Sequence, residues 1–208
     1  MAIIKRGILG GFSNKIGNVV GTSWKGISVM RSLPQSVHNP KTEAQEEQRT
    51  NFAVASKLGS QLLDSVIKPF WDKKAIRMSG YNLWVQKNLD RWRSLGTSYN
   101  DYILITEGAP VEIPNFEPVA YEGVLGVYGD FAFECSKLDK ETAKSIGIVI
   151  NSSGTEVLGI AEGEGIPHGF LFPCISTEDG LKAQFYGFAY DPQTMATTGS
   201  VHYSIRLD

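Results

Sequence analysis

The sequence has few of the side chains that carry catalysis or bind metals. It contains two cysteines and three histidines in 208 residues. His38, His168 and His202 lie far apart and lack the paired spacing of a zinc or iron site. Neither Cys135 nor Cys174 lies in a local motif typical of a nucleophilic enzyme. The sequence therefore predicts no catalytic residue, no metal site and no cofactor.

Phosphate-binding glycine motifs and long apolar runs are also missing. Gly10 and Gly11 precede Lys15, but no Gly-Lys-Ser/Thr follows, and the dinucleotide pattern Gly-x-Gly-x-x-Gly does not occur. No run of about 18 apolar residues is present, so we expect no membrane span. Residues 1–7 lack the apolar core and cleavage site of a signal peptide, which predicts synthesis in the cytosol without one.

Charge is distributed unevenly along the chain, although the net charge is only −2. Residues 1–41 carry six cations and no acid, residues 42–96 have a net charge of +3, and residues 97–208 have a net charge of −11. Such a split indicates that the two ends face different neighbours, or face each other in adjacent copies. We therefore predict three regions with the boundaries 1–41, 42–96 and 97–208.

The first region is a basic arm with frequent glycines, which make a poor helix. Residues 18–24 and 27–33 flank Lys25-Gly26 and predict a short hairpin that places Trp24 opposite Ile27. Residues 34–41 contain two prolines and predict a linker. The candidate partner-binding residues of the arm are five of its six cations and two aromatic residues: Lys5, Arg6, Phe12, Lys15, Trp24, Lys25 and Arg31.

The second region predicts two amphipathic helices packed as an antiparallel pair. Thr42 and Gln45 form a capping-box pattern at the start of the first helix, and Pro69 is expected to end that helix. The second helix is predicted from Ser79 to Arg93, with Gly96 as its stop. Its apolar stripe consists of Tyr81, Trp84, Val85, Leu89 and Trp92.

The third region predicts short strands separated by turns. They are expected at residues 102–106, 121–127, 131–136, 146–151, 156–161, 169–173, 181–190 and 200–207. Residues 151–154 and 178–180 are predicted hairpin connections. The expected fold class is α+β: arm, helix pair and antiparallel β-sandwich, with an immunoglobulin-like architecture as one option.

The opening residues resemble those of a known family. The similarity rests on Gly10-Gly11-Phe12-Ser13-Asn14-Lys15-Ile16-Gly17-Asn18-Val19-Val20-Gly21, Trp24-Lys25-Gly26 and Thr42-Glu43-Ala44-Gln45. These residues resemble a family of small bacterial proteins of unknown function, specifically over about the first 60 residues. The resemblance supports the architecture and implies no catalytic residue.

Three functions stay open from the sequence. The first is a non-enzymatic assembly protein, such as a virion or phage-like particle component, whose arm lies on a neighbouring subunit. The second is a nucleic-acid binder that uses the basic arm. The third is a glycan- or ligand-binding sandwich with Tyr186 or Tyr190 as a stacking platform. Glu162 and Glu164 are interpreted as part of a solvated acidic face rather than a carboxylate site.

Overall fold

The structure is a computed structural model. It describes residues 3–4, 11–24, 27–33, 36, 39–97, 99–129, 132–133, 138, 142–164, 168–173, 175–177 and 180–207. The chain forms two compact units, Met1–Glu43 and Ala44–Asp208. The boundary expected at residues 96 and 97 falls inside the second unit.

The first unit is a four-stranded antiparallel sheet, named here the arm sheet. Its strands follow chain order: β1 (Ile3–Ile4), β2 (Phe12–Ile16), β3 (Val19–Trp24) and β4 (Ile27–Ser32). The hairpin predicted around residues 25 and 26 is confirmed, since β3 pairs with β4 and Trp24 is opposite Ile27. The arm therefore has more regular structure than the extended chain expected for most of it.

The helix pair of the second unit is formed by α1 (Glu43–Gln61) and α3 (Gly80–Leu95). The Tyr81 hydroxyl at the start of α3 donates to the Ser56 carbonyl of α1 at 3.1 Å. A β-carbon on Gly59 would lie 3.2 Å from the Trp84 ring, so the missing side chain allows the helices to approach closely. The predicted antiparallel pair is confirmed.

Pro69 does not end the first helical region, contrary to the sequence prediction. A π-helical segment (Leu63–Ile67) follows α1, and a short helix, α2 (Lys68–Trp71), follows that segment. The proline lies in the first turn of α2, the helical position at which proline is tolerated best. The helical path thus continues to Trp71, which is fully buried.

Both ends of α3 agree with the sequence prediction. The Ser79 side chain caps the N-terminus and accepts a hydrogen bond from the Asn82 backbone N–H. Gly96 ends the helix in the left-handed region with φ of 62°, which glycine adopts at little cost. Of the predicted stripe, Trp84, Val85 and Trp92 are buried, while Tyr81 and Leu89 are half-buried.

The remaining strands form antiparallel sheets. They are β5 (Val111–Glu112), β6 (Phe116–Tyr121), β7 (Val124–Gly129), β8 (Ala132–Phe133), β9 (Lys144–Asn151), β10 (Val157–Glu164), β11 (His168–Phe172), β12 (Lys182–Tyr190) and β13 (Val201–Arg206). One sheet has the order β10-β9-β12-β13 and another the order β11-β7-β6, while β5 pairs with β8. These orders differ from the A-B-E-D and C-F-G sheets of immunoglobulin domains.

In the second unit, the four-stranded sheet formed by β10, β9, β12 and β13 is covered on both faces. Along β12, Tyr186 and Phe188 belong to one hydrophobic cluster with Trp71, Trp84 and the other buried helix residues. The alternate residues of β12 belong to a second cluster with the three-stranded sheet, whose contributors are Leu125, Val127, Phe170 and Phe172. The second unit is therefore layered as helices, four-stranded sheet and three-stranded sheet, an α+β fold with a sandwich-like arrangement.

Residues 102–106 were predicted as a strand, but they lie in no described sheet. This segment is buried from Ile103 to Thr106. Side chains make its backbone hydrogen bonds except at Thr106, whose carbonyl accepts from the Ser200 backbone N–H at 3.4 Å. From the helices, Trp92 Nε1 donates to the Tyr102 carbonyl at 2.7 Å, and Trp71 Nε1 donates to the Ile105 carbonyl at 2.9 Å.

Side chains of the sheet complete these hydrogen bonds. The Ile103 N–H donates to the Tyr186 hydroxyl at 3.2 Å, and the Ile105 N–H donates to Ser200 Oγ at 3.3 Å. The segment is thus held between the helices and the four-stranded sheet without a strand partner. The strand prediction failed because a run of apolar β-branched residues indicates only that the side chains are buried. It does not indicate which groups the backbone N–H and carbonyl groups bond to.

One further strand prediction and one hairpin prediction in this region were also wrong. The strand predicted at residues 121–127 spans a hairpin turn, because β6 ends at Tyr121 and β7 begins at Val124. The connection predicted at residues 178–180 is not a hairpin, since β11 and β12 lie in different sheets. Residues 178 and 179 themselves lie outside the described residues. The hairpin at residues 151–154 is confirmed by the pairing of β9 with β10.

Within the described residues, no helix has the length and apolar character needed to cross a membrane.

Candidate functional site

The arm sheet has almost no core of its own. Among its residues whose exposure is described, only Gly21 is buried, and every residue of β4 is exposed. Exposed apolar side chains occur in three strands, and Met30 and Ile27 are exposed by 69% and 62%. A sheet is stable when it buries at least one face against another layer. The arm sheet is thus the most distinctive candidate interaction surface of the chain.

One face of the arm sheet, named here the cationic face, combines two cations with β-branched residues. Lys15 pairs with Val20 and Val20 pairs with Arg31, so the three side chains form one row across three strands. Thr22 pairs with Val29 in the next row, and Ile27 continues the same face of β4. The structure therefore brings together Lys15 and Arg31, two of the predicted partner-binding residues.

Phe12 of β2 pairs with Ile4 of β1 and does not belong to that row. Phe12 is half-buried, and a β-carbon on Gly21 would lie 2.6 Å from its ring, so Phe12 packs over that glycine. Trp24 forms the last residue of β3. Lys5, Arg6 and Lys25 lie outside the described residues.

A second candidate surface lies on the three-stranded sheet, on the side away from the core, and is named here the outer face. It carries Val119 of β6, Tyr128 of β7 and Leu171 of β11, which are exposed by 42%, 47% and 59%. Glu117 pairs directly with Tyr128 and is also exposed. The sequence pattern did not predict this surface, although Tyr128 alternates with the buried Val127 in a strand of period two.

A groove of about 780 Å³ lies between the start of α1 and the end of α3. Its lining includes apolar side chains together with charges of both signs, among them Glu47, Arg49, Phe52, Leu89, Trp92 and Arg93. The groove lacks a cluster of like charge or of titratable side chains that would favour one chemical class of ligand.

Tyr186 and Tyr190 are not a stacking platform. Tyr186 is fully buried, donates to Gln184 Oε1 at 2.8 Å, and has a pKa raised by that burial. Tyr190 is also buried and donates to Glu162, so burial first and this hydrogen bond second raise the pKa of Tyr190. The prediction was wrong because both face the helices rather than solvent.

The histidines and cysteines do not form a described site. His202 stacks on Tyr186 with ring centroids 4.7 Å apart, and burial lowers its pKa. His38, Cys135 and Cys174 lie outside the described residues, and His168 is described only as the first residue of β11. In the part of the chain that the structure describes, no three of His, Cys, Asp and Glu are grouped to hold a metal ion.

Residues 11–112 match the model of a family of unknown function, DUF6266. The match covers β2–β4, all three helices and the segment that leads to β5, so it extends beyond the first 60 residues expected from the opening motif. Residues 113–208, which form most of the sandwich, lie outside it. No curated protein matches the chain.

Proposed function

We propose that this protein is a non-enzymatic structural subunit that associates with further copies of itself through the arm sheet. The observation that carries the proposal is a four-stranded sheet with exposed apolar side chains on both faces, in which only Gly21 is buried among the residues whose exposure is described. Burying such a sheet against a protein surface removes apolar area from water at about 25 cal/mol per Å². A neighbouring subunit offers that surface.

The charge distribution supports a second copy as the neighbour. Residues 1–41 carry only cations, and residues 97–208 have a net charge of −11. The arm of one copy and the sandwich of another attract each other at low ionic strength. Repetition of such a contact between different surfaces builds rings or filaments. In this proposal the ring or filament is part of a virion or phage-like particle, and the protein is of bacterial origin.

Sedimentation velocity of the full chain and of a variant lacking residues 1–41 tests this proposal. The full chain should associate as concentration rises, and high salt should weaken the association. The shortened variant should stay monomeric and folded, because both hydrophobic clusters lie within residues 55–207. A full chain that stays monomeric at every concentration and at low salt contradicts the proposal.

Nucleic-acid binding is the second candidate, favoured by the shared face of Lys15 and Arg31. In this function the arm neutralises phosphates, and affinity falls steeply with salt. A gel-shift titration of labelled DNA and RNA at low salt tests it. The double variant Lys15→Gln and Arg31→Gln should bind more weakly. The slope of its log affinity against log salt concentration should be smaller by the amount expected for about two phosphate contacts. A full chain that shifts neither probe excludes this function.

A further inference from the structure

The outer face is unusually flat because two glycines leave room for a tyrosine ring. Gly169 of β11 pairs with Tyr128 of β7, and Gly126 lies two residues before Tyr128 in β7. A β-carbon would lie 2.9 Å from Tyr128 Cε2 if placed on Gly126, and 2.5 Å from Cδ1 if placed on Gly169. The ring therefore lies down across both glycine positions and turns a half-exposed aromatic surface outward.

Two further apolar side chains extend this surface. Leu171 pairs with Gly126, and Gly126 pairs with Val119, so both side chains flank one of the glycines covered by Tyr128. The opposite face of the same strands is already buried in the sandwich core through Leu125 and Phe170. Three exposed apolar residues on adjacent strands are thus available for a partner that is itself flat, such as another sheet.

The charges of the outer face complement those of the cationic face. Strands β6, β7 and β11 contain Glu117 and no lysine or arginine, and Glu122 follows in the turn between β6 and β7. The cationic face carries Lys15 and Arg31 with no acid, and between and beside them lie Val20, Val29 and Ile27. Each face therefore presents apolar or aromatic residues together with charge of one sign.

We infer that the cationic face of the arm sheet packs on the outer face of the three-stranded sheet of a second copy. This inference rests on the proposed function and names the surface that receives the arm. Val20, Ile27 and Val29 contact Val119, Tyr128 and Leu171, while the cations of one copy approach Glu117 of the other. Both faces span three strands spaced about 4.8 Å apart, so their widths match.

Because donor and receiver are different surfaces, two copies joined by one such contact keep one free donor surface and one free receiver surface between them. The contact is heterologous and does not close on itself as a two-fold dimer does. It predicts rings or filaments, together with a property that a two-fold interface lacks. Two variants that are each defective in a different surface can still bind one another.

The test uses full-length variants. Leu171→Arg places a cation on the exposed receiving face, and Arg31→Glu reverses a cation on the donor face. Each variant alone should be monomeric, with association weakened at least tenfold. Their equimolar mixture should form a discrete heterodimer, because each contributes one intact surface. Ile160→Arg, which alters an exposed apolar residue of β10, is the matched control and should associate as the unchanged protein does.

The outcomes separate this inference from the proposed function. If deletion of residues 1–41 abolishes association but Leu171→Arg does not, the arm docks elsewhere and the inference is overturned while the proposed function stands. If the unchanged full chain is monomeric throughout, both fall. A mixture that stays monomeric also overturns the heterologous contact. Binding on a glycan array that Tyr128→Ala removes would assign the outer face to sugars and overturn the inference.

Discussion

Asn88 provides the sharpest test of how the second unit is held together. It is a fully buried polar residue of α3, and its side chain makes three hydrogen bonds. Asn88 Nδ2 donates to the carbonyls of Trp84 and Leu104 at 3.1 Å each, and the Leu104 N–H donates to Asn88 Oδ1 at 2.8 Å. One amide therefore serves both the donor and the acceptor of Leu104.

Asn88→Leu preserves the approximate volume of the side chain and removes its polar atoms. The Leu104 N–H and carbonyl would lose this partner in a buried position, at about 1–3 kcal/mol each. We expect the free energy of unfolding to fall by about 2–6 kcal/mol. With a urea dependence of about 2 kcal/mol per M, the unfolding midpoint should fall by about 1–3 M.

Urea unfolding followed by tryptophan fluorescence measures this change, since Trp71, Trp84 and Trp92 are buried in the affected layer. Asn82→Leu is the matched control, because Asn82 is an exposed residue of the same helix. It should change stability by no more than about 0.5 kcal/mol. If both variants unfold at the same urea concentration, the Leu104 backbone does not depend on Asn88 and the reasoning is refuted.

Three further outcomes are expected. Burial lowers the pKa of His202 in the folded chain, so the unfolded chain binds the proton at a higher pH. The free energy of unfolding should therefore fall as pH drops below about 6.5, by at most about 1.4 kcal/mol per pH unit. His202→Gln should make the free energy of unfolding, measured by urea titration, less dependent on pH in this range. Gly96→Ala should cost about 1 kcal/mol at its positive φ, and Gly96→Asn less, as thermal midpoints compared with the unchanged protein would show. Trp71→Phe leaves the buried Ile105 carbonyl without its indole donor and should lower the thermal midpoint by about 3–10 °C; an unchanged midpoint would mean that this hydrogen bond adds nothing.

The elements that the sequence predicted correctly are those governed by local chemistry. Helix α3 needed only the Ser79 cap, an apolar stripe and the Gly96 stop, which all lie within 18 residues. The hairpin of β3 and β4 likewise follows from two β-rich runs around a two-residue turn. These features depend only on residues that are close together in the chain, so the sequence pattern is sufficient to predict them.

The features that the sequence did not predict depend on distant partners. Residues 102–106 and β12 both read as apolar β-rich runs, yet only β12 lies in a sheet. Tyr186 and Tyr128 each lie in a strand whose side chains alternate between two faces. The helices cover Tyr186, whereas no layer of the described residues covers Tyr128. Which face a third layer covers is decided by tertiary packing, and local periodicity carries no information about it.

The same distinction applies to the candidate surfaces. The sequence predicted a basic, glycine-rich arm, whereas the pairing of Lys15, Val20 and Arg31 in one row depends on the strand register. The flat outer face depends on Gly126 and Gly169, which lie 43 positions apart in the chain and meet on either side of Tyr128 only after β7 and β11 pair.

The layering of the second unit has a consequence for where this protein can be cut. The span shared with the family of unknown function stops at residue 112, yet the buried faces of its helices rest on Ile148, Tyr186 and Phe188, which come later in the chain. A fragment ending at that point would expose three buried tryptophans to water and lose the hydroxyls that hold residues 103 and 105. We therefore expect that residues 11–112 do not fold on their own, because the layer that covers the helices comes from residues later in the chain.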